Sequence, residues 1–208
     1  MHEEARVRLR HARQQAGLTL RELAEMIGVS TSLLSQIERG HTEPSVASLY
    51  ALSSALDISM DEILNPASPV PRSVQPYPAD VAPVVRAGTR PILTMTSGVT
   101  WEQLTAGEDP LVDALLVTYR PGSRSAGDGE LITHSGTEYA YLIEGELSLT
   151  YGFRTLLLRA GDSLAFDSSH PHLYSNESSG IARGVFFVVG RTERSASSSG
   201  TRLRNEFR

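Results

Sequence analysis

The chain has no cysteine and no lysine. Without cysteine there are no disulfides and no thiolate metal sites, which leaves His, Asp and Glu as the strong metal ligands. All 19 basic side chains are arginine. Arginine suits bidentate contacts to phosphate and guanine, but a GC-rich coding sequence explains the missing lysine better, because even the polar C-terminal stretch lacks it. No apolar run reaches the length needed to span a bilayer. The opening Met1-His2-Glu3-Glu4 does not resemble the start of a secretion signal. These absences point to the cytoplasm. The net charge of −5 is modest and dispersed. It argues against a basic protein overall, but DNA binding needs only a local basic surface.

Forty per cent of the 208 residues are apolar, enough for folded cores. The pattern predicts a multidomain α + β chain. Residues 1–64 read as helices. Residues 65–90, starting Asn65-Pro66-Ala67-Ser68-Pro69-Val70-Pro71, read as a proline-rich linker. Residues 91–191 carry short β-type runs punctuated by glycine, such as 114–119, 139–143 and 184–189. Residues 192–208 are almost devoid of apolar side chains and read as a disordered tail.

Five helices are expected in the first segment. Helix 1 carries Ala5, Leu9, Ala12 and Ala16 at helical spacing and ends at Gly17. Thr19-Leu20-Arg21-Glu22 is a capping box opening helix 2, with Leu23, Ala24 and Ile27 inward. Ser30 caps helix 3 (Leu33, Leu34, Ile37), and Pro44-Ser45 starts helix 4 (Val46, Leu49, Leu52, Leu56). Ser59-Met60-Asp61-Glu62 starts a short fifth. Ala24 lies four residues before Gly28, and Leu34 and Ile37 lie six and nine after it. A small residue where two helices cross, a glycine at the turn and an apolar pair that leaves the next helix's first turn exposed are the parts of a helix-turn-helix. The outward residues Ser30, Thr31, Ser32, Ser35, Gln36 and Arg39 would then face DNA. Gln36 would read adenine and Arg39 hold phosphate, with Arg10 or Arg13 as further phosphate grips. A helical domain that binds protein is the alternative.

The stretch Gly17 to Ala24, then Gly28-Val29-Ser30, Leu34 to Gly40 and Pro44-Ser45, resembles the lambda-repressor-like (Xre-type) helix-turn-helix domain over about residues 6–64. The resemblance implies a dimer on two half-sites of a double-stranded DNA operator. Leu20 departs from the glutamine common in that family, which contacts backbone phosphate and braces the recognition helix.

In the β region, His134 and Glu138 are four residues apart, at the start of an apolar strand. Two full alternations would point both the same way. A histidine from a neighbouring strand would complete a two-His, one-carboxylate set suited to a divalent ion such as Fe, Zn, Mn or Ni. A polar pocket without metal is the alternative. His170 is expected at the rim, and Tyr141, Phe166 and Trp101 as barrel filling. Tyr139 and Tyr174 are expected to face away from His134 and His172.

The spacing His134, Glu138, Gly145 and then Gly161, His172, Asn176 resembles the cupin family over about residues 92–190, with fifteen residues between the two motifs. The resemblance implies an antiparallel jelly-roll barrel with a central pocket. Ile132 stands where that family has another metal-binding histidine, and Asp167 and Ser169 replace a proline and a glycine. An Xre-type domain joined to a cupin resembles bacterial regulators in which a small-molecule effector modulates DNA binding, normally as homodimers. The second reading is a non-haem iron oxygenase or epoxidase of the same domain order. It would use His134, Glu138 and His172 as its triad and send a helix 1 side chain into the barrel.

Overall fold

A computed structural model describes residues 3–58, 60, 63, 84–105, 112–126 and 129–190. Four helices lie among them: α1 (Glu3–Gln15), α2 (Leu20–Met26), α3 (Thr31–Arg39) and α4 (Val46–Leu56). The fifth expected helix falls largely outside the described residues, although Met60 and Ile63 are helical and fully buried. The tail at 192–208 and most of the linker at 65–90 also lie outside them. Residues 84–90 are irregular around a 3-10 turn at Ala87–Thr89.

Local chemistry sets the helix boundaries. Thr19 caps α2 by accepting the Glu22 N–H, while the Glu22 carboxylate accepts the Thr19 N–H at 2.8 Å, and that contact holds its pKa below the usual carboxylate range. Ser30 and Ser45 cap α3 and α4 by accepting the Leu33 and Ser48 N–H groups. Gly28 turns the chain at φ 71°, a left-handed conformation that costs any side chain strain. The expected inward residues Ala5, Leu9, Leu23, Ala24, Leu34, Ile37, Val46, Leu49, Leu52 and Leu56 are all buried. Ala12, Ile27 and Leu33 are half-buried, and Ala16 is not buried at all: α1 stops at Gln15, and Ala16 sits exposed in the turn.

Nine strands follow: β1 (Ile92–Thr94), β2 (Val99–Gln103), β3 (Val112–Tyr119), β4 (Thr137–Glu144), β5 (Glu146–Tyr151), β6 (Arg154–Arg159), β7 (Ser163–Asp167), β8 (His172–Ser175) and β9 (Ala182–Val189). They form a six-stranded sheet, β1-β2-β3-β9-β4-β7, and a three-stranded sheet, β6-β5-β8, every pairing antiparallel. This is the expected jelly roll, with side chains of both sheets meeting in one interior. On β4 the inward residues are Glu138, Ala140 and Leu142. Tyr139 and Tyr141 lie on the other face, half exposed at 47 % and 48 %. Tyr141 is therefore not barrel filling: it sits two residues from Tyr139 and shares its outward direction. Among the described residues, no helix is long and apolar enough to cross a membrane.

Candidate functional sites

The first site is the outer side of α3. Its inner side is fixed by Leu34 and Ile37, which leaves Thr31, Ser32 and Arg39 exposed and Ser35 and Gln36 half-buried. The Ser30 oxygen is engaged in the cap, accepting the Leu33 N–H at 3.1 Å. The Gln36 Oε1 accepts from the Thr42 hydroxyl at 3.2 Å, which orients the amide. The Arg39 Nε donates to the Ser35 carbonyl one turn back at 3.2 Å.

Behind this face lies a buried acid that sequence reasoning missed. Glu38 sits next to Ile37 on the inward side. Arg13 donates to it from Nε at 2.7 Å and Nη2 at 3.1 Å, and Arg13 Nη1 also donates to the Leu18 carbonyl at 2.8 Å. The Glu38 contact raises the arginine's pKa still further. The Arg13 guanidinium is thus consumed in tying α1 to α3, the opposite of a phosphate grip. Arg10 reaches Glu38 at 3.3 Å but remains nearly half exposed. Arg6, Arg10, Arg39 and His41 share an open groove of about 380 Å³ with Glu3 and Glu38. Arg6 and His41 were not singled out in the sequence, because nothing local marks which arginines converge. Removing one partner of a buried ion pair strands the other. Glu38→Ala is therefore expected to lower stability by about 2–3 kcal/mol, read as a shift of the denaturant midpoint for the helical domain.

The second site is in the barrel. His134, Glu138 and His172 are buried, and one ligand atom from each lies within 4.8 Å of the others. Their convergence has a different origin from the expected one. His134 is not on β4, which begins at Thr137. It lies in the preceding loop, its N–H bonded to the Ser168 carbonyl at 3.0 Å, and Gly136, at φ 105°, turns the chain between it and the strand. His172 opens β8 and exchanges two backbone hydrogen bonds with Ile132, at 2.8 and 3.0 Å. Ile132 thus serves as a backbone clamp for a ligand-bearing residue.

Both imidazoles are oriented. The His172 Nδ1 faces the His170 carbonyl at 2.8 Å, and the His134 Nδ1 faces the Ser135 carbonyl at 3.2 Å. A carbonyl only accepts, so Nδ1 of each ring carries a proton, which leaves Nε2 as the nitrogen able to ligate. Neither Nε2 has a hydrogen-bond partner. They lie 3.3 Å (His134) and 3.9 Å (His172) from Glu138 Oε2. Burial holds the His172 pKa below its ordinary value, which favours the neutral, ligating form. The other Glu138 oxygen accepts from the Tyr174 hydroxyl at 2.6 Å. Burial, reinforced by the Glu138 charge, pushes the Tyr174 phenol well up, so it stays a donor. Two imidazole Nε2 atoms without hydrogen-bond partners and a carboxylate oxygen between them, each side chain braced from behind, fit a divalent ion.

Tyr174, like Tyr141, lies on the other side of its strand from the one expected. It lies two residues from His172 on β8, and positions two apart share a face. It points into the barrel and is 3 % exposed. His170 is exposed at the rim, as expected, while Trp101 and Phe166 pack inside or at the edge of the interior. Asn176 is buried without facing the cluster. Its amide donates to the Tyr119 and Gly180 carbonyls and accepts from Ser178, shaping the β8–β9 turn.

A third feature joins the two sites. Tyr50 of α4 enters the barrel mouth. Its ring stacks on His134 at 4.2 Å and 16°, and its centroid is 5.4 Å from that of Trp101. Among the described residues, a cavity of about 20 Å³ lies beside this ring, lined among others by Val46, Tyr50, Trp101, Tyr119, Glu138 and His172. The reach into the barrel comes from α4, where the oxygenase reading had required it from helix 1.

The register around Gly28 and the two-sheet barrel define a two-domain molecule, a helix-turn-helix joined to a cupin. Residues 9–63 match the helix-turn-helix family and residues 115–189 the cupin domain. The chain is 32 % identical over 177 residues to the HTH-type transcriptional regulator PuuR of Escherichia coli (strain K12), covering 85 % of this chain and 89 % of PuuR. It is 25 % identical over 168 residues to SutR, an HTH-type transcriptional regulator of the same organism, covering 81 % and 84 %. A crystal structure of an HTH_3 family transcriptional regulator from Vibrio cholerae has the same fold, with TM-score 0.65, 19 % identity and coverage of 90 % of this chain and 95 % of that one. The chain belongs to the HTH-type transcriptional regulators that join an Xre-like helix-turn-helix to a cupin domain.

Proposed function

We propose that this regulator reads an operator in double-stranded DNA through α3, and that its barrel binds a small-molecule effector that changes the affinity. The observation that carries the reading is the two-sided character of α3. Leu34 and Ile37 lock one side into the core, and the other offers hydroxyls, an amide and an arginine to the groove. Thr31, Ser32, Ser35 and Gln36 face base edges, Ser30 contributes through its cap, and Arg39 holds phosphate together with Arg6 and Arg10 along the groove they share.

Two copies act together, because a single short helix reads too few bases and paired half-sites need paired proteins. The outward face of β4 and β9, with Tyr139, Tyr141, Ile143, Phe187 and Val189 half exposed, supports pairing through that sheet. The barrel holds its effector with or beside a divalent ion on His134, Glu138 and His172. Such an ion would act as a Lewis acid that fixes a carboxylate or hydroxyl of the effector. Effector-controlled operator binding places the protein in the cytoplasm.

Gel-shift titration of DNA fragments lying upstream of the gene and its neighbours tests this reading. One fragment is expected to shift at nanomolar protein, with an affinity that falls steeply with salt. Identical weak binding to every fragment, shuffled controls included, would overturn it.

A further inference from the structure

Val46 and Tyr50 belong to the DNA-reading domain, yet both line the barrel cavity. They are one turn apart on one side of α4. The same helix sends Leu49 and Leu52 into the helical core, where both are fully buried. The Tyr50 ring is held in the barrel by its stack on His134 and by Trp101 beside it, so it stands in the mouth as long as α4 stays docked.

Two further contacts seat this domain. The Ala47 N–H belongs to the first turn of α4, whose N–H groups have no partner within the helix. It donates to the Ser125 carbonyl of the barrel at 3.2 Å. The Thr96 hydroxyl donates to the Glu43 carbonyl just before α4, also at 3.2 Å.

The space between Tyr50 and the Glu138–His172 side of the barrel is the deciding quantity. A cavity of about 20 Å³ accepts one water or a bare ion. Pockets for organic ligands run from about 300 Å³ upward. We infer that Tyr50 is a plug in the barrel mouth, that an organic effector enters only as Tyr50 leaves, and that effector occupancy and docking of the helical domain on the barrel exclude each other. This rests on the effector part of the proposed function and adds its physical means. The occupant does not need to send strain through the sheet; it takes the place of a side chain of the DNA-reading domain. By reciprocity, whatever holds that domain against the barrel weakens effector binding by the same factor.

The plug can be tested without knowing the effector and without DNA. Diethylpyrocarbonate acylates neutral imidazole nitrogens. Both buried Nε2 atoms are unbonded, and His11, His41 and His170 are exposed internal references. Because modification is slow and irreversible, its rate follows the fraction of open molecules. With EDTA present and peptides read by mass spectrometry, His134 and His172 of the native chain are expected to react at least about tenfold more slowly than the exposed histidines. Tyr50→Ala is expected to raise both rates about tenfold, and Tyr50→Phe, which keeps the stacked ring, to stay within about twofold of native. Since the chain lacks cysteine, Glu43→Cys/Thr96→Cys can be joined cleanly by a short bis-maleimide. The joined protein is expected to react at least about fivefold more slowly at His134 and His172 than the same variant with its thiols capped singly. Equal rates in joined and capped protein would overturn the plug, as would Tyr50→Ala reacting like the native chain. The joined pair decides the matter if Tyr50→Ala does not fold. Failure to shift any DNA fragment would strike the operator reading and leave these rates unchanged, so the two are judged separately.

Discussion

His172→Ala is expected to weaken Co²⁺ binding by at least about 100-fold, read as loss of the visible absorption band that a histidine–carboxylate site gives to this ion. The side chain is fully buried, its Nε2 lacks a partner, and its Nδ1 is pinned by the His170 carbonyl. Loss of an outer partner of a metal ligand already costs about 10–100-fold, and loss of one of three protein ligands costs more. His172→Gln keeps most of the volume and is expected to lose the ion as well, which separates lost coordination from a cavity left in the barrel. Tyr174→Phe provides the graded case. It removes the 2.6 Å bond to Glu138 while keeping the ring, and a loss of about tenfold is expected. If the native chain and His172→Ala bind Co²⁺ alike, the ion is held elsewhere and the cluster is a polar pocket.

Gln36→Ala is expected to weaken operator binding by about 10–100-fold while leaving binding to unrelated DNA within about twofold. A bidentate amide–adenine contact contributes about 1–3 kcal/mol of discrimination, and a factor of ten corresponds to about 1.4 kcal/mol. The Thr42 hydroxyl already occupies one lone pair of Oε1. The second lone pair and both amide protons remain for the base, so the group arrives oriented. Arg39→Ala is expected to behave differently, weakening both kinds of binding together and lowering the salt slope by about one. Equal losses on both DNAs for Gln36→Ala would show that it reads no base. Competition titrations at fixed salt measure both.

Much of this molecule is legible in its sequence wherever the controlling interactions are local. The capping residues Thr19, Ser30 and Ser45, the turn at Gly28 and the apolar spacing of α1–α4 all act within a turn or two of chain. The cupin spacing likewise brings His134, Glu138 and His172 together. What escaped is non-local or geometric. Glu38 reads as one more charge on a polar helix, because its arginine partners are 25 and 28 residues away. Tyr50 reads as a spare aromatic on a helix whose core residues are already accounted for, since periodicity cannot say what another domain presents. His134 was placed on a strand that Gly136 interrupts, so the right cluster followed from the wrong geometry. Tyr174 could have been placed correctly, because β alternation alone puts it beside His172.

Hydroxyl-radical footprinting of the shifted upstream fragment tests whether α3 reads an operator as one half of a symmetric pair. The predicted result is two protected patches on one face of the duplex, their centres one or more helical turns of about 10 base pairs apart, and their loss together with Gln36→Ala. A uniform pattern at saturating protein, or protection unchanged by that substitution, would contradict it.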